Sequence, residues 1–153
     1  MSNDYYKTLP KKRMGAEALI FNNKNELLTL KPSYKDYWSI PGGVIEENES
    51  PKAGCVREVK EEIGLDVSLQ FLCVDWTSSK EGKGDSLQFI FYGGVLPPEQ
   101  ENAIKLETEE ISDYKFLAVD QALLLLSEKL KRRVPKCLEA LKKNTALYLE
   151  DEN

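Results

Sequence analysis

The stretch PGGVIEENESPKAGCVREVKEEIGL, residues 41–65, contains the local signals that define one helix from end to end. Ser50 is a favoured N-cap residue, and Pro51 is well suited to the first helical turn. Gly64 suits the left-handed residue that commonly follows a helix. Together these signals predict a helix from Pro51 to Ile63.

The acidic residues of this helix are concentrated on one side. On a helical wheel Glu58, Glu61 and Glu62 share an arc of about 100°. One interpretation is a solvated, charged surface. However, like charges three and four residues apart repel each other, and acids in the C-terminal half of a helix oppose its dipole. A bound divalent cation would offset both effects, so the second interpretation is a metal site, for which oxygen ligands favour Mg²⁺ or Mn²⁺.

Length and composition indicate a single globular domain. The chain has 153 residues, of which 41% are hydrophobic and 31% are charged. We assign residues 1–12 to an N-terminal segment, 13–145 to the domain, and 146–153 to an acidic tail, whose last residues, EDEN at 150–153, are expected to be solvated and poorly ordered. The net charge of -5 argues against nonspecific binding of nucleic acid, which requires a basic surface.

Two absences from the sequence narrow the chemistry. The chain contains no histidine, which excludes Ser-His-Asp and Cys-His catalysis and zinc sites that use histidine. It contains three widely spaced cysteines, an odd number without a CxxC pair, which indicates reduced thiols and a cytoplasmic location. Residues 89–96, the longest nearly apolar run, are too few to span a membrane, and the N-terminus lacks the apolar region of a signal peptide.

Strands and helices alternate along the chain. Apolar and β-branched residues predict strands at 14–21, 26–31, 66–76, 85–96 and 114–119. The C-terminal part has helical spacing of leucines, and Pro135 is expected to break it into two helices. This interleaving predicts an α/β or α+β protein with helices packed on a sheet.

The spacing around the acidic helix resembles the Nudix box, GX5EX7REUXEEXGU, in which U is a bulky apolar residue. Gly43 is followed after five residues by Glu49 and after seven more by the segment REVKEEIGL, 57–65, so every defined position matches. With seven fixed identities, a chance match is on the order of one in a hundred million per window. The resemblance implies an α/β fold of the Nudix type, an α/β/α sandwich with a mixed β-sheet.

The resemblance also implies an activity. Nudix hydrolases use water and divalent cations to cleave the pyrophosphate of a nucleoside diphosphate linked to another group X. An acidic protein can hold a pyrophosphate through metals that bridge carboxylate and phosphate oxygens. We therefore expect a Mg²⁺-dependent (or Mn²⁺-dependent) hydrolase that acts on a small nucleotide, without a membrane partner.

The resemblance assigns roles to individual residues. Glu58, Glu61 and Glu62 would bind the metal, with the carbonyl of Gly42 as a further ligand. Glu49 would pair with Arg57 and hold the loop against the helix, which makes Arg57 a positioning residue within the catalytic box. Glu58 is the first candidate for the catalytic base, and Glu109 and Glu110 are the alternatives.

Substrate binding is assigned to residues outside the acidic arc. Trp38 is a candidate for stacking a base, although buried aromatics more often belong to a core. Lys31 is a candidate for a terminal phosphate, although solvated lysines are commoner. Gly43 would let the substrate approach the backbone. Asn48 stands where many relatives have glycine, and it should tolerate the left-handed conformation of that turn.

The class of substrate is inferred only by eliminating classes whose usual residues are missing after the box. Glu81 and Lys83 occupy the places where ADP-ribose pyrophosphatases often carry proline and dinucleoside polyphosphate hydrolases often carry tyrosine. A (deoxy)nucleoside triphosphate is therefore favoured over ADP-ribose or an NDP-sugar. The competing class is a non-catalytic nucleotide-binding module, but such modules usually lose a carboxylate of the box. An isomerase of the same fold would need histidine ligands. The residues are silent on oligomeric state, although relatives are frequently homodimers.

Overall fold

A seven-stranded mixed sheet lies at the centre of the protein, whose computed structural model describes residues 3–150. The strands are β1 (Arg13–Asn22), β2 (Leu27–Pro32), β3 (Gly42–Val44), β4 (Gln70–Thr77), β5 (Ser86–Leu96), β6 (Ile111–Leu117) and β7 (Leu147–Glu150). The helices are α1 (Asn3–Thr8), α2 (Pro51–Ile63), α3 (Pro98–Asn102), α4 (Val119–Leu125) and α5 (Glu128–Lys142).

β1 is the central strand, and its apolar sequence follows from that position. The strand order is β6-β2-β1-β5-β4-β7, and β3 pairs with the first half of β1. The β1–β5 and β4–β7 pairs are parallel, whereas the others are antiparallel. A strand that is covered on both faces reads as a nearly continuous apolar run, as β1 does.

Two apolar cores cover the two faces of the sheet. Alternate residues of β1 point to opposite faces, so Ala16, Ala18 and Ile20 pack in the core under α2. Leu19 and Phe21 pack on the other side in a core shared with α4 and α5. The predicted α/β/α sandwich with a mixed sheet is therefore confirmed. None of the helices between residues 3 and 150 has the length and apolar content required to cross a bilayer.

α2 has the predicted boundaries. The Ser50 hydroxyl accepts a hydrogen bond from the Ala53 N–H at 3.1 Å, which caps the first turn. Gly64 adopts a left-handed conformation with φ of 75° and donates its N–H to the Lys60 carbonyl at 2.9 Å. The helix therefore ends because of a residue that accepts this conformation without strain.

The prediction that residues 146–153 form an acidic tail is wrong for 147–150. Leu147–Glu150 form β7, which pairs in parallel with β4 through residues such as Cys73 and Val74. Exposed β4 backbone at the sheet edge provides the hydrogen bonds that the local sequence did not reveal. Residues 1, 2 and 151–153 lie outside the described part of the chain, and the domain boundaries stay a prediction.

The prediction that Pro135 breaks the C-terminal helix is also wrong. α5 runs through Pro135, and the break lies between Leu125 and Glu128, where Ser127 caps the new helix. Pro135 is on the exposed side of α5, where the carbonyl that loses its helical partner can be hydrated.

The predicted strand at 66–76 begins late. β4 starts at Gln70, and residues 65–69 instead form a connection in which Leu65 and Leu69 pack into the α2 core. Their apolar character therefore reflects packing without strand pairing.

Candidate active site

The short strand β3 places two bare glycines against the carboxylates of α2. Gly42 pairs with Glu17 and Gly43 pairs with Ala16 across the β1–β3 ladder. Gly42 has a φ of 150°, and a Cβ atom there would lie 2.2 Å from the Ala16 carbonyl oxygen. A side chain cannot be accommodated at Gly42, which brings this backbone directly to the site.

Glu62 is the most buried of the three helix carboxylates, with 8% of its surface exposed. Its Oε1 accepts a hydrogen bond from the Gly42 N–H at 2.7 Å. Burial raises the pKa of Glu62 to about 8, and repulsion from Glu58, Glu110 and Glu17 acts in the same direction. Such a carboxyl is largely protonated near neutral pH unless a cation compensates its charge.

Glu58 lies directly beside Gly43. A Cβ atom on Gly43 would be 2.5 Å from the Glu58 carboxyl carbon and 2.7 Å from both of its oxygens. Burial raises the pKa of Glu58, although its hydrogen bond from Arg57 works against that shift. Glu61, one turn of the helix away, is about half exposed.

Arg57 connects the loop before α2 to the acidic face. Its Nε and Nη2 donate to the two oxygens of Glu49 at 2.8 and 3.0 Å, and Nη2 also donates to the Val44 carbonyl at 3.1 Å. Its Nη1 donates to Glu58 at 3.1 Å and to Glu61 at 3.2 Å. The Arg57 guanidinium lowers the pKa of Glu49 to about 2. The predicted Arg57–Glu49 pair is thus present, in the bidentate geometry that only arginine provides.

The turn in that loop has the predicted form. Asn48, which replaces the glycine of many relatives, has a φ of 60° and so adopts the left-handed conformation. It directly precedes Glu49 and leaves the contact with Arg57 intact.

A later loop brings a fourth acid, Glu110, to the same cleft. The loop is tied to the end of α2 because Lys105 and Glu107 donate their N–H groups to the carbonyls of Ile63 and Glu62, at 2.9 and 3.0 Å. Glu110 then lines a cleft together with the three helix carboxylates, Gly42 and Gly43. Of the two alternative bases, Glu110 reaches this cleft, whereas Glu109 lines a shallow depression beside it.

The cleft opens into a partly enclosed cavity of about 290 Å³. Glu17, Glu62 and Glu110 contribute acidic groups to its wall, and Lys35 and Arg13 contribute basic groups. Burial raises the pKa of Glu17, and Arg133, Lys35 and a hydrogen bond from Ser39 act against this shift. Sequence analysis did not single out Glu17. The available signal was an acidic residue within an apolar strand.

The donor atoms fit a divalent cation, although the side chains are not yet arranged around one. Within residues 3–150, no three side chains of the His, Cys, Asp or Glu type are gathered closely enough to form a preformed metal site. Glu58 and Glu61 are instead held by Arg57, and Glu62 by Gly42. Four carboxylates on one cleft, one of them buried with a raised pKa, provide the oxygen ligands that Mg²⁺ and Mn²⁺ favour.

Two predicted substrate contacts lie elsewhere. Trp38 packs against the α4–α5 core and holds Lys115 Nζ 5.1 Å from its ring centroid, so it does not line the cavity. Lys31 Nζ donates to the carbonyls of Pro32, at 2.8 Å, and Lys35. The ammonium group of Lys31 therefore stabilises its own loop. The lysine that lines the cavity is Lys35.

Comparison with known proteins agrees with this geometry. The family model described as the NUDIX domain matches residues 11–140. The methanol dehydrogenase activator of Bacillus methanolicus is 30% identical over 120 residues, which cover 75% of this chain and 64% of that protein. An RNA pyrophosphohydrolase of Hydrogenovibrio crunogenus is 42% identical over 56 residues, 37% of this chain and 34% of that protein.

These matches cover less than two thirds of either relative. The crystal structure of a UDP-X diphosphatase aligns with a TM-score of 0.76 at 23% identity, over 97% of this chain and 75% of that one. At that identity the structural match concerns the fold alone. The family match covers most of the chain and includes both the acidic helix and the cavity wall, so this chain belongs to the NUDIX domain family.

Proposed function

We propose that the protein hydrolyses the pyrophosphate linkage of a nucleoside diphosphate derivative with the help of Mg²⁺ or Mn²⁺. The observation that carries this proposal is the meeting of Glu58, Glu61 and Glu62 with Glu110 at one cleft beside Gly42 and Gly43. A solvated helix face would not require a buried member whose pKa is raised to about 8.

We assign the cation to the carboxylates of the cleft, with the Gly42 carbonyl as a further ligand. A bound divalent ion would neutralise charge on the pyrophosphate and acidify the attacking water. Glu58 is our first candidate for the base that accepts a proton from water, and Glu110 is the alternative. Both face the cleft, and burial raises the pKa of Glu58 toward the range that suits a base near neutral pH.

Arg57 and Glu49 act as positioning residues in this proposal. Arg57 uses its donors on both sides, toward the loop and toward Glu58 and Glu61. Its contacts fix the distance between the acidic face and the loop that follows β3. The substrate would approach the bare backbone of Gly43, and we assign Lys35, which lines the cavity, to its anionic groups.

The substrate that we favour is a (deoxy)nucleoside triphosphate, and ADP-ribose or an NDP-sugar is the alternative. A panel of these compounds with Mg²⁺, with identification of the products, decides between them. Pyrophosphate released from a triphosphate supports our choice, whereas a nucleoside monophosphate released from an NDP-sugar supports the alternative. Nucleotide binding without turnover would support a non-catalytic module.

The matched variants for this panel are Glu62→Gln and Glu47→Gln. Glu47 is an exposed acid of the loop before α2, so its substitution removes the same charge away from the cleft. Glu62→Gln should abolish turnover that depends on Mg²⁺, and Glu47→Gln should leave it unchanged. Hydrolysis that persists in EDTA, or that survives Glu62→Gln, would contradict the proposal.

We further propose a cytoplasmic location and a homodimer. The location is supported by Cys55, Cys73 and Cys137, all of which are buried free thiols. Sedimentation of the purified chain tests the dimer.

A further inference from the structure

A second cavity, of about 350 Å³, lies beside the candidate active site and has the opposite charge. The two cavities share Arg13 and Gln88 in their walls. The remaining charged residues of the second cavity are Lys80, Lys83, Lys129 and Glu81, so four of its five charged side chains are cationic. We call it the basic cavity. Nothing in the proposed hydrolysis uses these lysines.

The basic cavity is assembled from three separate parts of the fold. Arg13 begins β1, Lys80 and Lys83 belong to the loop between β4 and β5, and Lys129 belongs to α5. Arg13 donates to the loop backbone and Lys83 Nζ lies 3.3 Å from Glu81, yet among the described residues Glu81 is the one acid in this concave site, to which three elements contribute cations. The arrangement indicates an anionic ligand.

The loop that carries the two lysines is held in place. Arg13 donates Nε to the Lys83 carbonyl at 3.0 Å and Nη2 to the Gly84 carbonyl at 3.2 Å. Asp85 accepts hydrogen bonds from Lys12 Nζ at 2.6 Å and from Trp76 Nε1 at 2.7 Å. A loop fixed at its C-terminal side loses less conformational entropy when it binds a ligand.

The chemistry of the wall favours a phosphate group. Thr77, Ser78 and Ser86 line the same cavity, so hydroxyl-bearing residues accompany the cationic ones in its wall. The chain as a whole carries a net charge of -5, so the basic cavity is a local reversal of sign. Such a reversal beside an acidic site orients a ligand that has two anionic ends.

The distance between the two cavities determines how long a ligand must be to contact both. Arg13 lies four residues before Glu17 on β1, and Glu17 is paired with Gly42 at the candidate active site. At about 3.3 Å per residue in a strand, this separation is on the order of 13 Å. One substrate molecule can therefore contact both.

We propose that the basic cavity binds a second phosphate group of the substrate, one that is not cleaved. This inference rests on the proposed function for the identity of the first site. Among nucleoside triphosphates and other nucleoside diphosphate derivatives, it favours those that carry a further phosphate remote from the scissile pyrophosphate. That phosphate is either a monoester on the same nucleoside or a phosphodiester of a following nucleotide.

Binding of compounds that contain no pyrophosphate tests the inference independently of turnover. Dissociation constants are measured by calorimetry, with Mg²⁺ present, for AMP, adenosine 2′,5′-bisphosphate, and 5′-phosphorylated di- and triadenylate. At least one of the last three should bind more tightly than AMP. A gain for the bisphosphate identifies a monoester, and a gain that appears only with the oligonucleotides identifies a phosphodiester.

The double variant Lys83→Gln/Lys129→Gln removes two charges of the basic cavity, and Lys24→Gln in the exposed β1–β2 turn is the control. The double variant should lose roughly three- to tenfold of affinity for the compound with the second phosphate and retain its affinity for AMP. Equal affinities for all four compounds, or a loss for AMP that is just as large, would overturn the inference. If the expected differences occur but no pyrophosphate substrate is cleaved, only the proposed function fails.

Discussion

Substitution of Gly43 by alanine should displace the Glu58 carboxylate, and so lower turnover, without destabilising the fold. The added Cβ would be 2.5 Å from the Glu58 carboxyl carbon. Ordinary contact begins near 3.4 Å, so the carboxylate must move by about 0.9 Å. Gly43 is not among the residues with positive φ, so alanine introduces no backbone strain there.

A displacement of this size should lower kcat on the order of a hundredfold, because reacting groups misplaced by about 1 Å lose that much rate. Stability should change little, since the atoms that must give way are the end of a flexible side chain. The assay combines Mg²⁺-dependent turnover with urea unfolding. Gly42→Ala provides the contrast, because its Cβ meets backbone at Ala16 and should destabilise the protein itself.

A double-mutant cycle shows whether Glu58 transmits the effect. Glu58→Asp shortens the side chain by one methylene group and leaves room for the new methyl group. In that background Gly43→Ala should reduce kcat by less than about threefold, since the two changes act on the same contact. An undiminished hundredfold loss in the Glu58→Asp background, or near-wild-type turnover of Gly43→Ala alone, would refute the steric argument.

Three further predictions concern buried or paired charges. Glu62→Gln should lower kcat by orders of magnitude and raise the Tm of the metal-free protein at pH 8 to 9. A carboxyl whose pKa is raised to about 8 destabilises the fold once it ionises. An unchanged Tm would contradict this. The pKa of Glu49 is lowered from 4.5 to about 2, so its pair with Arg57 contributes stability above pH 4.5 that is lost as the pH falls through 2. Acid unfolding of Glu49→Gln should therefore be flatter over this range, and a curve parallel to that of the wild type would count against it. Arg133→Met removes the 2.6 Å hydrogen bond to the fully buried Asp75 and should lower the free energy of unfolding in urea by about 3–5 kcal/mol. A loss below about 1 kcal/mol would show that Arg132 alone compensates the charge of Asp75.

The sequence predicted the parts of the structure that depend on neighbours along the chain. Ser50 and Gly64 defined α2 because a cap and a left-handed residue act within one turn of the helix. Asn48 adopted its expected conformation for the same reason. The contact of Arg57 with Glu49 was predicted through the spacing of the Nudix box, which encodes a helix packed against its own preceding loop.

Features that depend on tertiary contacts were not predicted. β7 forms because β4 leaves an unpaired edge and because Leu147 and Leu149 pack against the second core, and both partners are distant in the chain. Lys31 has the composition of a phosphate ligand, but its ammonium group reaches the carbonyls of its own loop. Trp38 has the ring that base stacking requires, but in the structure it packs against the second core. In each case the local chemistry allowed two outcomes, and packing chose between them.

Glu17 shows how much of the missed information was nevertheless present in the sequence. An acidic residue in the middle of a strand that is covered on both faces requires a cation, a hydrogen-bond donor or a cavity, because burial of an uncompensated charge is very unfavourable. Here the compensation is present: Arg133, Lys35 and the nearby Ser39 hydroxyl act to lower the pKa of Glu17, and Glu17 lines the cavity. A single charged residue inside an otherwise apolar central strand therefore predicts that the strand borders a site, even where no motif includes that residue.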